Sequence, residues 1–307
     1  MVSCAFRIFK KMPKQDVQPR DVRCMGSSMI RNLVGSLPSG DRIVVSQNPS
    51  RHKRNSQSIR LKRQTATTTT MTILPSTAAS PILFQYLKLL PLGARGGVTR
   101  FFLLTQGIPF EEKLIPMGPE WTAEKKRLVE SGENPSGSLP IVYTSKNNNQ
   151  DDESPQAHPQ HIAVSRYLAR IHKVTSGDDY KDYVQDLVAD EYQGWRDLWV
   201  KTTFSGSDED KQTYTATALP QMLTKFNALY EQFKTDDVFL SVSAQTGQPL
   251  WGDAAIFGLL RDHVLTKYLA SKNELAKKYP YLMNMYNAYE SIPAVQKWLE
   301  SVTPKEE

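Results

Sequence analysis

The order of short apolar runs in residues 81–174 predicts a small α/β layer. Three runs have the length and the branched or aromatic residues of strands, at residues 86–90, 111–115 and 139–143. Helical segments lie between or after these runs, at residues 98–107, 121–131 and 162–172. The polar, acidic stretch at residues 147–160 predicts a loop. Strands that alternate with helices in this way are typical of an α/β layer.

Residues 175–307 predict an all-helical region. Apolar side chains recur there every three or four positions, which places them on one face of each helix. They are Val184, Leu187, Val188, Trp195, Leu198 and Trp199 in one segment and Met222, Leu223, Phe226, Leu229, Tyr230 and Phe233 in the next. Short turns between the segments suit a compact bundle. Aromatic residues at this spacing favour a packed core, and pocket lining by Tyr192, Trp195 and Trp199 is the alternative.

The charge of the chain is divided between its two ends. The chain has 307 residues and a formal net charge of +6. Residues 1–80 hold 14 Lys and Arg against three Asp, a net charge of +11, whereas residues 81–307 have a net charge of −5. This mildly acidic remainder gives no support to nucleic-acid binding. The basic, Ser- and Thr-rich composition of residues 1–80 predicts a disordered extension, with an organelle-targeting segment as the alternative.

The sequence also excludes several classes of chemistry. Cys4 and Cys24 are the only cysteines, so residues 81–307 hold no disulfide, no cysteine zinc site and no thiol nucleophile. There is no phosphate-binding Gly-rich loop and no G-x-S-x-G motif. No apolar run approaches the roughly 18 residues of a membrane-spanning helix. His158 and His161 are close in sequence, but two histidines without further ligands do not predict a metal site.

Four stretches, taken in order, resemble the cytosolic glutathione S-transferase family, most nearly its sigma-like and mu-like branches. They are residues 93–100 (GARGGVTR), residues 135–140 (PSGSLP), residues 160–169 (QHIAVSRYLA), and the pair 252–257 (GDAAIF) and 289–295 (YESIPAV). The resemblance covers roughly residues 86–301. It implies a thioredoxin-like domain at residues 81–174 and an all-helical domain at residues 175–307, after the extension at residues 1–80. It also implies a cis-proline at Pro140.

The resemblance further implies a glutathione-binding site. Its residues are Arg95, Trp121, Lys125, Ser138, Leu139, Pro140, Gln160 and His161. Gln160 and His161, the latter where the family generally has Ser, precede a predicted helix, and a helix N-terminus suits the γ-glutamyl carboxylate. The backbone of Leu139 matches the cysteinyl part of glutathione, and Lys125 matches the glycyl carboxylate. Lys125 also lies in a charged run, for which a solvated helix face is the alternative.

The family's catalytic tyrosine has no counterpart at the aligned position. Sigma-like and mu-like members carry it at the end of the first strand, where this chain has Leu89 or Pro91, depending on the gap. Neither side chain has a hydroxyl group, and Tyr86 stands too early in the strand to be assigned the role. Arg95 is therefore the candidate catalytic residue, because a nearby cation lowers the pKa of a thiol. In the helical region, Leu250 replaces the usual Ser or Thr cap of the core helix, at a cost of about 1 kcal/mol.

From the resemblance we expect an enzyme that conjugates glutathione to small hydrophobic electrophiles, or that uses glutathione in a related isomerase or peroxidase step. The alternative is a non-catalytic binding or regulatory protein that keeps the fold. Glutathione is the expected co-substrate, with no metal, no nucleic acid and no membrane span, and a homodimer is the expected assembly. The expected location is cytoplasmic, and the alternative is mitochondrial or plastid through the basic extension.

The segregation of charge generates a test of the extension. A chain that begins at Met71 is expected to unfold at nearly the same temperature as the full chain, because residues 1–80 show no pattern that would bury apolar surface. Thermal unfolding of both chains, followed by circular dichroism, measures the difference. A large drop in the melting temperature of the shorter chain would contradict the predicted disorder.

Overall fold

The structure is a computed structural model that describes residues 82–144, 155–235, 238–269 and 272–303. The chain divides into two units, Met1–Thr70 and Met71–Glu307, and every described residue lies in the second. The predicted disordered extension at residues 1–80 lies outside the described residues. In the described part of the chain, no helix combines the length and the apolar character that crossing a membrane requires.

A four-stranded mixed sheet forms one layer of the described unit. Its strands are β1 (Ile82–Leu87), β2 (Phe110–Ile115), β3 (Ile141–Thr144) and β4 (Gln156–Pro159). Their spatial order is β2-β1-β3-β4, with β1 parallel to β2 and the other pairs antiparallel. A parallel pair needs a crossover, and α1 (Ala94–Gln106) supplies it. α2 (Pro119–Glu130) connects β2 to β3, and α3 (His161–Ile171) follows β4.

Two details of the sheet differ from the sequence prediction. β1 spans Ile82–Leu87 instead of residues 86–90, because the side chains of Ile82, Phe84 and Tyr86 alternate into the main core. β4 lies within the segment predicted as a loop. Its polar sequence has no apolar alternation, and its backbone is held as an edge strand by pairing with β3.

The rest of the described chain is helical. The elements are α4 (Asp179–Ser205), α5 (Asp208–Thr213), a π-helical turn (Tyr214–Ala218), α6 (Leu219–Phe233), α7 (Trp251–Leu265), α8 (Lys272–Lys278), α9 (Pro280–Glu290) and α10 (Pro293–Val302). Tyr192, Trp195 and Trp199 of α4 are fully buried core side chains. The order confirms the predicted fold class, a thioredoxin-like α/β layer followed by an all-helical region. The domain boundary at residue 174 stays a prediction.

α1 and α7 join the α/β layer to the helical region. α7 is buried from Trp251 to His263, as expected for a helix at the centre of a bundle. Phe101 of α1 makes edge-to-face contacts with Phe257 of α7 and Trp298 of α10, at ring-centroid distances of 4.9 and 5.3 Å. On the sheet side, the guanidinium group of Arg100 lies over the ring of Phe84. α1 is therefore packed on both sides, which fixes the loop that precedes it.

The N-terminus of α7 is capped by a side chain from another helix. Leu250 at the cap position makes no side-chain hydrogen bond, as the sequence predicted. Instead, Oε1 of Gln185 on α4 accepts from the amide of Gly252 at 2.7 Å, and its Nε2 donates to Asp253 at 2.9 Å. Asp253 also accepts from Tyr230, and burial raises its pKa to about 6. Gln185 therefore offsets the missing cap.

Replacement of Gln185 by Ala tests this cap. The variant leaves the buried Gly252 amide and one oxygen of Asp253 without their partner. Each unsatisfied buried group costs about 1–3 kcal/mol. We therefore expect a loss of about 2–5 kcal/mol in the free energy of unfolding. Urea denaturation measures it. Gln221→Ala, on the exposed face of α6, is the matched control, with an expected change within about 0.5 kcal/mol. Equal midpoints for the two variants would show that Gln185 does not act as the cap.

Candidate functional site

A rigid loop at residues 134–140 leads into β3. The peptide bond between Leu139 and Pro140 is cis, as the resemblance implied. The side chain of Asn134 is fully buried and donates to the carbonyl of Ser138 at 2.8 Å. Ser136 donates to the side-chain oxygen of Asn134 at 2.7 Å. These bonds hold the backbone of residues 138–140 in one conformation beside the sheet.

The turn from β4 into α3 places helix amides beside that loop. Gln160 has a φ of 77°, which is uncommon for a residue other than glycine and requires support from its surroundings. Its side-chain Nε2 donates to Oγ of Ser138 at 3.2 Å. The carbonyl of Gln160 accepts the helical bond from Val164, so the amides of residues 161–163 have no acceptor within α3. Free amides at a helix N-terminus favour a carboxylate.

α2 brings Trp121 and Lys125 to the same loop. Trp121 and Leu139 both pack on the small core cluster that contains Ile141. Lys125 lies over Gly137: a Cβ placed on that glycine would be 2.9 Å from Cε of Lys125. The rest of the Lys125 side chain is exposed to solvent, so its ammonium group is free to reach a ligand. The structure thus brings together six of the predicted site residues: Trp121, Lys125, Ser138, Leu139, Pro140 and Gln160.

His161 has its imidazole ring inside the protein. The residue is 2% exposed, and its ring meets the ring of Tyr192 on α4 edge to face at 5.8 Å. Burial, reinforced by the charges of Arg95 and Arg196, lowers the pKa of His161 to about 3, so the ring is neutral. Only the backbone amide of His161 belongs to the exposed start of α3, whereas the Ser typical of the family would add a hydroxyl.

The ring of His158 lies in a different environment from that of His161. Its ring stacks near that of Tyr167 at 4.4 Å, and its Nε2 lies 2.9 Å from the hydroxyl oxygen of Thr144. Within the described ranges, no group of three or more His, Cys, Asp or Glu side chains is arranged to hold a metal ion. The histidine pair noted in the sequence is therefore divided between two environments.

Arg95 lies in the first turn of α1 and pairs with Asp197 of α4. Both side chains are partly exposed, at 35% and 65%. The positive charge of Arg95 adds to the effect of burial in lowering the pKa of His161, and it opposes the rise that burial gives to the pKa of Tyr86. Arg95 therefore lies at the junction of β1, α1 and α3, but a carboxylate from the helical region already meets its charge.

The segment between β1 and α1 carries no hydroxyl at the aligned positions. Leu89 and Pro91 are half-buried there. Tyr86 is buried beneath the first turn of α1, where a Cβ placed on Gly96 would be 2.4 Å from its ring. Burial raises the pKa of Tyr86, against the effect of a hydrogen bond with the Gly96 amide. The phenol is thus near the first turn of α1 but enclosed.

Sequence reasoning missed the residues that hold this segment. The amides of Gly93 and Ala94 both donate to the carboxylate of Asp262 on α7, each at 2.8 Å. Arg196 on α4 donates to the same carboxylate at 2.6 Å, and Arg261 donates to the carbonyl of Pro91. A usable signal was present, since the adjacent charges of residues 261 and 262 end the apolar run at residues 254–260.

The comparisons with known proteins point to one family. The family model described as "Glutathione S-transferase, C-terminal domain" matches residues 193–302. A glutathione S-transferase of Anopheles gambiae is 26% identical over 196 residues, which cover 62% of this chain and 83% of that protein.

Solved structures show the same fold. A pi-class glutathione S-transferase of Onchocerca volvulus has a TM-score of 0.56 at 17% identity, covering 72% of this chain and 92% of its own. A sigma-class enzyme of Fasciola hepatica has a TM-score of 0.55 at 17% identity, covering 73% and 98%. A prostaglandin synthase D of Nilaparvata lugens has a TM-score of 0.54 at 19% identity, covering 73% and 99%. The family-model match, the curated relative and this fold together support a protein of the cytosolic glutathione S-transferase family.

Proposed function

We propose that the protein binds glutathione and transfers it to small hydrophobic electrophiles. The observation that carries this proposal is the hydrogen bond from Gln160 to Ser138, which joins the free amides of α3 to the cis-proline loop. Glutathione has two carboxylates, a peptide backbone and a thiol. The start of α3, the cis-proline loop and α2 together offer a partner for both carboxylates and for the peptide backbone. A related isomerase or peroxidase step is a variant of the same proposal.

Each end of glutathione has a matching group in the binding half of the site. The γ-glutamyl carboxylate is held by the amides at the start of α3. The backbone of Leu139, at the end of the loop, pairs with the cysteinyl part in the manner of an added strand. The glycyl carboxylate is met by Lys125, whose stem lies on Gly137. Trp121 packs on the same small core cluster as Leu139.

Lys125→Ala tests the glycyl end. Loss of the ammonium group is expected to weaken glutathione binding about tenfold, because a charge-assisted hydrogen bond is worth roughly 1.5–3 kcal/mol and part of it is solvated here. Isothermal titration calorimetry measures the Kd. Lys126→Ala is the matched control, since the neighbouring lysine is exposed near Glu130, and its Kd should stay unchanged. Equal Kd values for both variants would support the solvated-face alternative.

Arg95 is the proposed activator of the thiol. A free cysteine thiol has a pKa near 8.5, so turnover at neutral pH requires a group that favours the thiolate. Arg95 supplies a cation at the first turn of α1, beside the segment that lacks a hydroxyl. Its pairing with Asp197 reduces the charge that it can offer. Activation in this chain is therefore expected to be weaker than with an unpaired arginine.

Arg95→Ala is expected to lower kcat by about tenfold or more, since each tenfold corresponds to about 1.4 kcal/mol of lost transition-state stabilisation. Tyr86→Phe should have a far smaller effect, because the phenol is enclosed. Steady-state kinetics with an aryl halide separate kcat from KM. Asp197→Asn is the control for the ion pair and should keep or raise kcat.

Two outcomes would contradict the role of Arg95. If Arg95→Ala raises KM and leaves kcat unchanged, the arginine only anchors the ligand or the loop. If Tyr86→Phe abolishes turnover while Arg95→Ala retains it, a tyrosine mechanism operates in a shifted register.

A second function, that of a non-catalytic glutathione-binding protein, is favoured by a specific observation. The segment before α1 has no hydroxyl at Leu89 or Pro91, and Arg95 already has a carboxylate partner. Glutathione titration of the unaltered protein, followed by the aryl-halide assay, separates the two functions. Binding without conjugation would replace transfer by a binding or regulatory role.

The proposed assembly is a homodimer and the proposed location is the cytoplasm, with a mitochondrial or plastid location through the basic extension as the alternative. Both are proposed from the resemblance to cytosolic glutathione S-transferases. The electrophile is recognised by side chains of the helical region, which differ most among such proteins.

A further inference from the structure

The N-terminus of α1 is occupied by a carboxylate of this chain. Gly93 and Ala94, at the cap and first positions of the helix, donate their amides to the two different oxygens of Asp262. Asp262 is fully buried, and it comes from α7 in the helical region. The positive end of a helix dipole lies at these amides. Here, that end is already matched by a fixed negative charge.

Two neighbouring residues of α7 hold the same segment in opposite ways. Arg261 donates to the carbonyl of Pro91, while Asp262 accepts from the amides that follow it. The backbone between β1 and α1 is thereby fixed by a donor and an acceptor from one helix. Leu89 or Pro91 in this segment aligns with the catalytic tyrosine of the family. Arg261 and Asp262 therefore fix the backbone at the place where the thiol of a bound glutathione is expected.

Several elements place charged or titratable groups near Asp262, among them Arg261 beside it in α7 and Tyr286 of α9. Arg196 of α4 donates to it and is itself fully buried, with its guanidinium group near the rings of Tyr192 and Trp199. Tyr86 of β1 lies close enough for Asp262 to raise its pKa and for Arg196 to lower it. Arg95 of α1 also acts on Tyr86, in the same direction as Arg196. Asp262 and Arg196 are thus an opposed pair of charges beside the first turn of α1.

We infer that Asp262 is a positioning residue of the thiol site. Its carboxylate occupies the N-terminus of α1, so the helix end does not stabilise the thiolate of bound glutathione. Arg95 is then the group that faces the thiolate. The inference rests on the proposed binding of glutathione. It adds that the helical region sets the electrostatic environment of the thiol through α7. A helix end with free amides would favour a thiolate, whereas one matched by a carboxylate does not.

The apparent pKa of the bound glutathione thiol tests this inference without requiring turnover. It is measured from the ultraviolet absorbance of the thiolate as pH is raised, with the full chain saturated with glutathione. Asp262→Asn removes a negative charge and frees Arg196, so the thiol pKa should fall by about 0.5 unit or more, a change of about threefold in its acid dissociation constant. Arg196→Gln removes the positive member of the pair, so the thiol pKa should rise by a similar amount.

Asp186→Asn is the matched control. Asp186 also links α4 to α7, since it accepts from Nε1 of Trp251 at 2.9 Å, and it pairs with Arg166 of α3. It makes no contact with the segment before α1 among the described hydrogen bonds. This control should leave the thiol pKa unchanged. A purely structural role for Asp262 would lower the melting temperature but would not give opposite pKa shifts in the Asp262 and Arg196 variants.

The outcomes separate this inference from the proposed function. If the unaltered protein gives no heat of binding with glutathione, the proposed function fails and the inference falls with it. If glutathione binds but the thiol pKa of Asp262→Asn equals that of the unaltered protein, the inference alone is overturned.

A measurement on the unaltered protein tests the inference even if the variants fail to fold. The amide resonances of Gly93 and Ala94 should be the same with glutathione and with S-methylglutathione, because Asp262 keeps both amides. A shift that appears only with the free thiol would show that the thiolate takes them, and would overturn the inference.

Discussion

The buried ion pair between Arg196 on α4 and Asp262 on α7 is the contact on which the arrangement of the described fold depends. Nη1 and Oδ2 are 2.6 Å apart, and both side chains are fully buried. Two charges in an apolar interior are costly to desolvate unless further hydrogen bonds complete their surroundings. The amides of Gly93 and Ala94 and the hydroxyl of Tyr192 supply three such bonds. The pair therefore joins α1, α4 and α7 at one point, and removal of either charge would leave the other uncompensated.

The candidate site has two halves, which are held in place by different parts of the chain. The half built by the cis-proline loop and the start of α3 is held within the α/β layer, where Gln160 and Ser138 are 22 residues apart in sequence. The segment that precedes α1 is held by Asp262 and Arg261, which lie 168 to 170 residues further along the chain. The first half depends on local turns, and the second depends on how the helical region packs.

The same division explains what the sequence could predict. Periodicity identified the buried faces of α4 and α6, because apolar burial repeats with the period of the helix. It missed β4, because the sequence of this strand has no apolar alternation and its backbone pairs with β3. Gln185 was also invisible, since nothing local connects a polar residue within α4 to the uncapped Leu250. Likewise, the sequence placed His161 at the ligand, but its ring is drawn inward by packing on Tyr192. Each miss depends on a contact between two elements, and for Gln185 and His161 these elements are distant in sequence.

A cation or a helix end stabilises an anion only with the charge that is not already balanced nearby. At the first turn of α1, Asp197 pairs with Arg95 and Asp262 accepts from the amides of Gly93 and Ala94, and both carboxylates belong to the helical region. At the start of α3 and at Lys125, by contrast, no carboxylate partner is found among the described contacts. If glutathione binds as proposed, the α/β layer sets its affinity and α4 and α7 set the acidity of its thiol. Changes in the helical region can therefore alter reactivity while binding is preserved, which is how a catalytic and a purely binding form of one fold could differ.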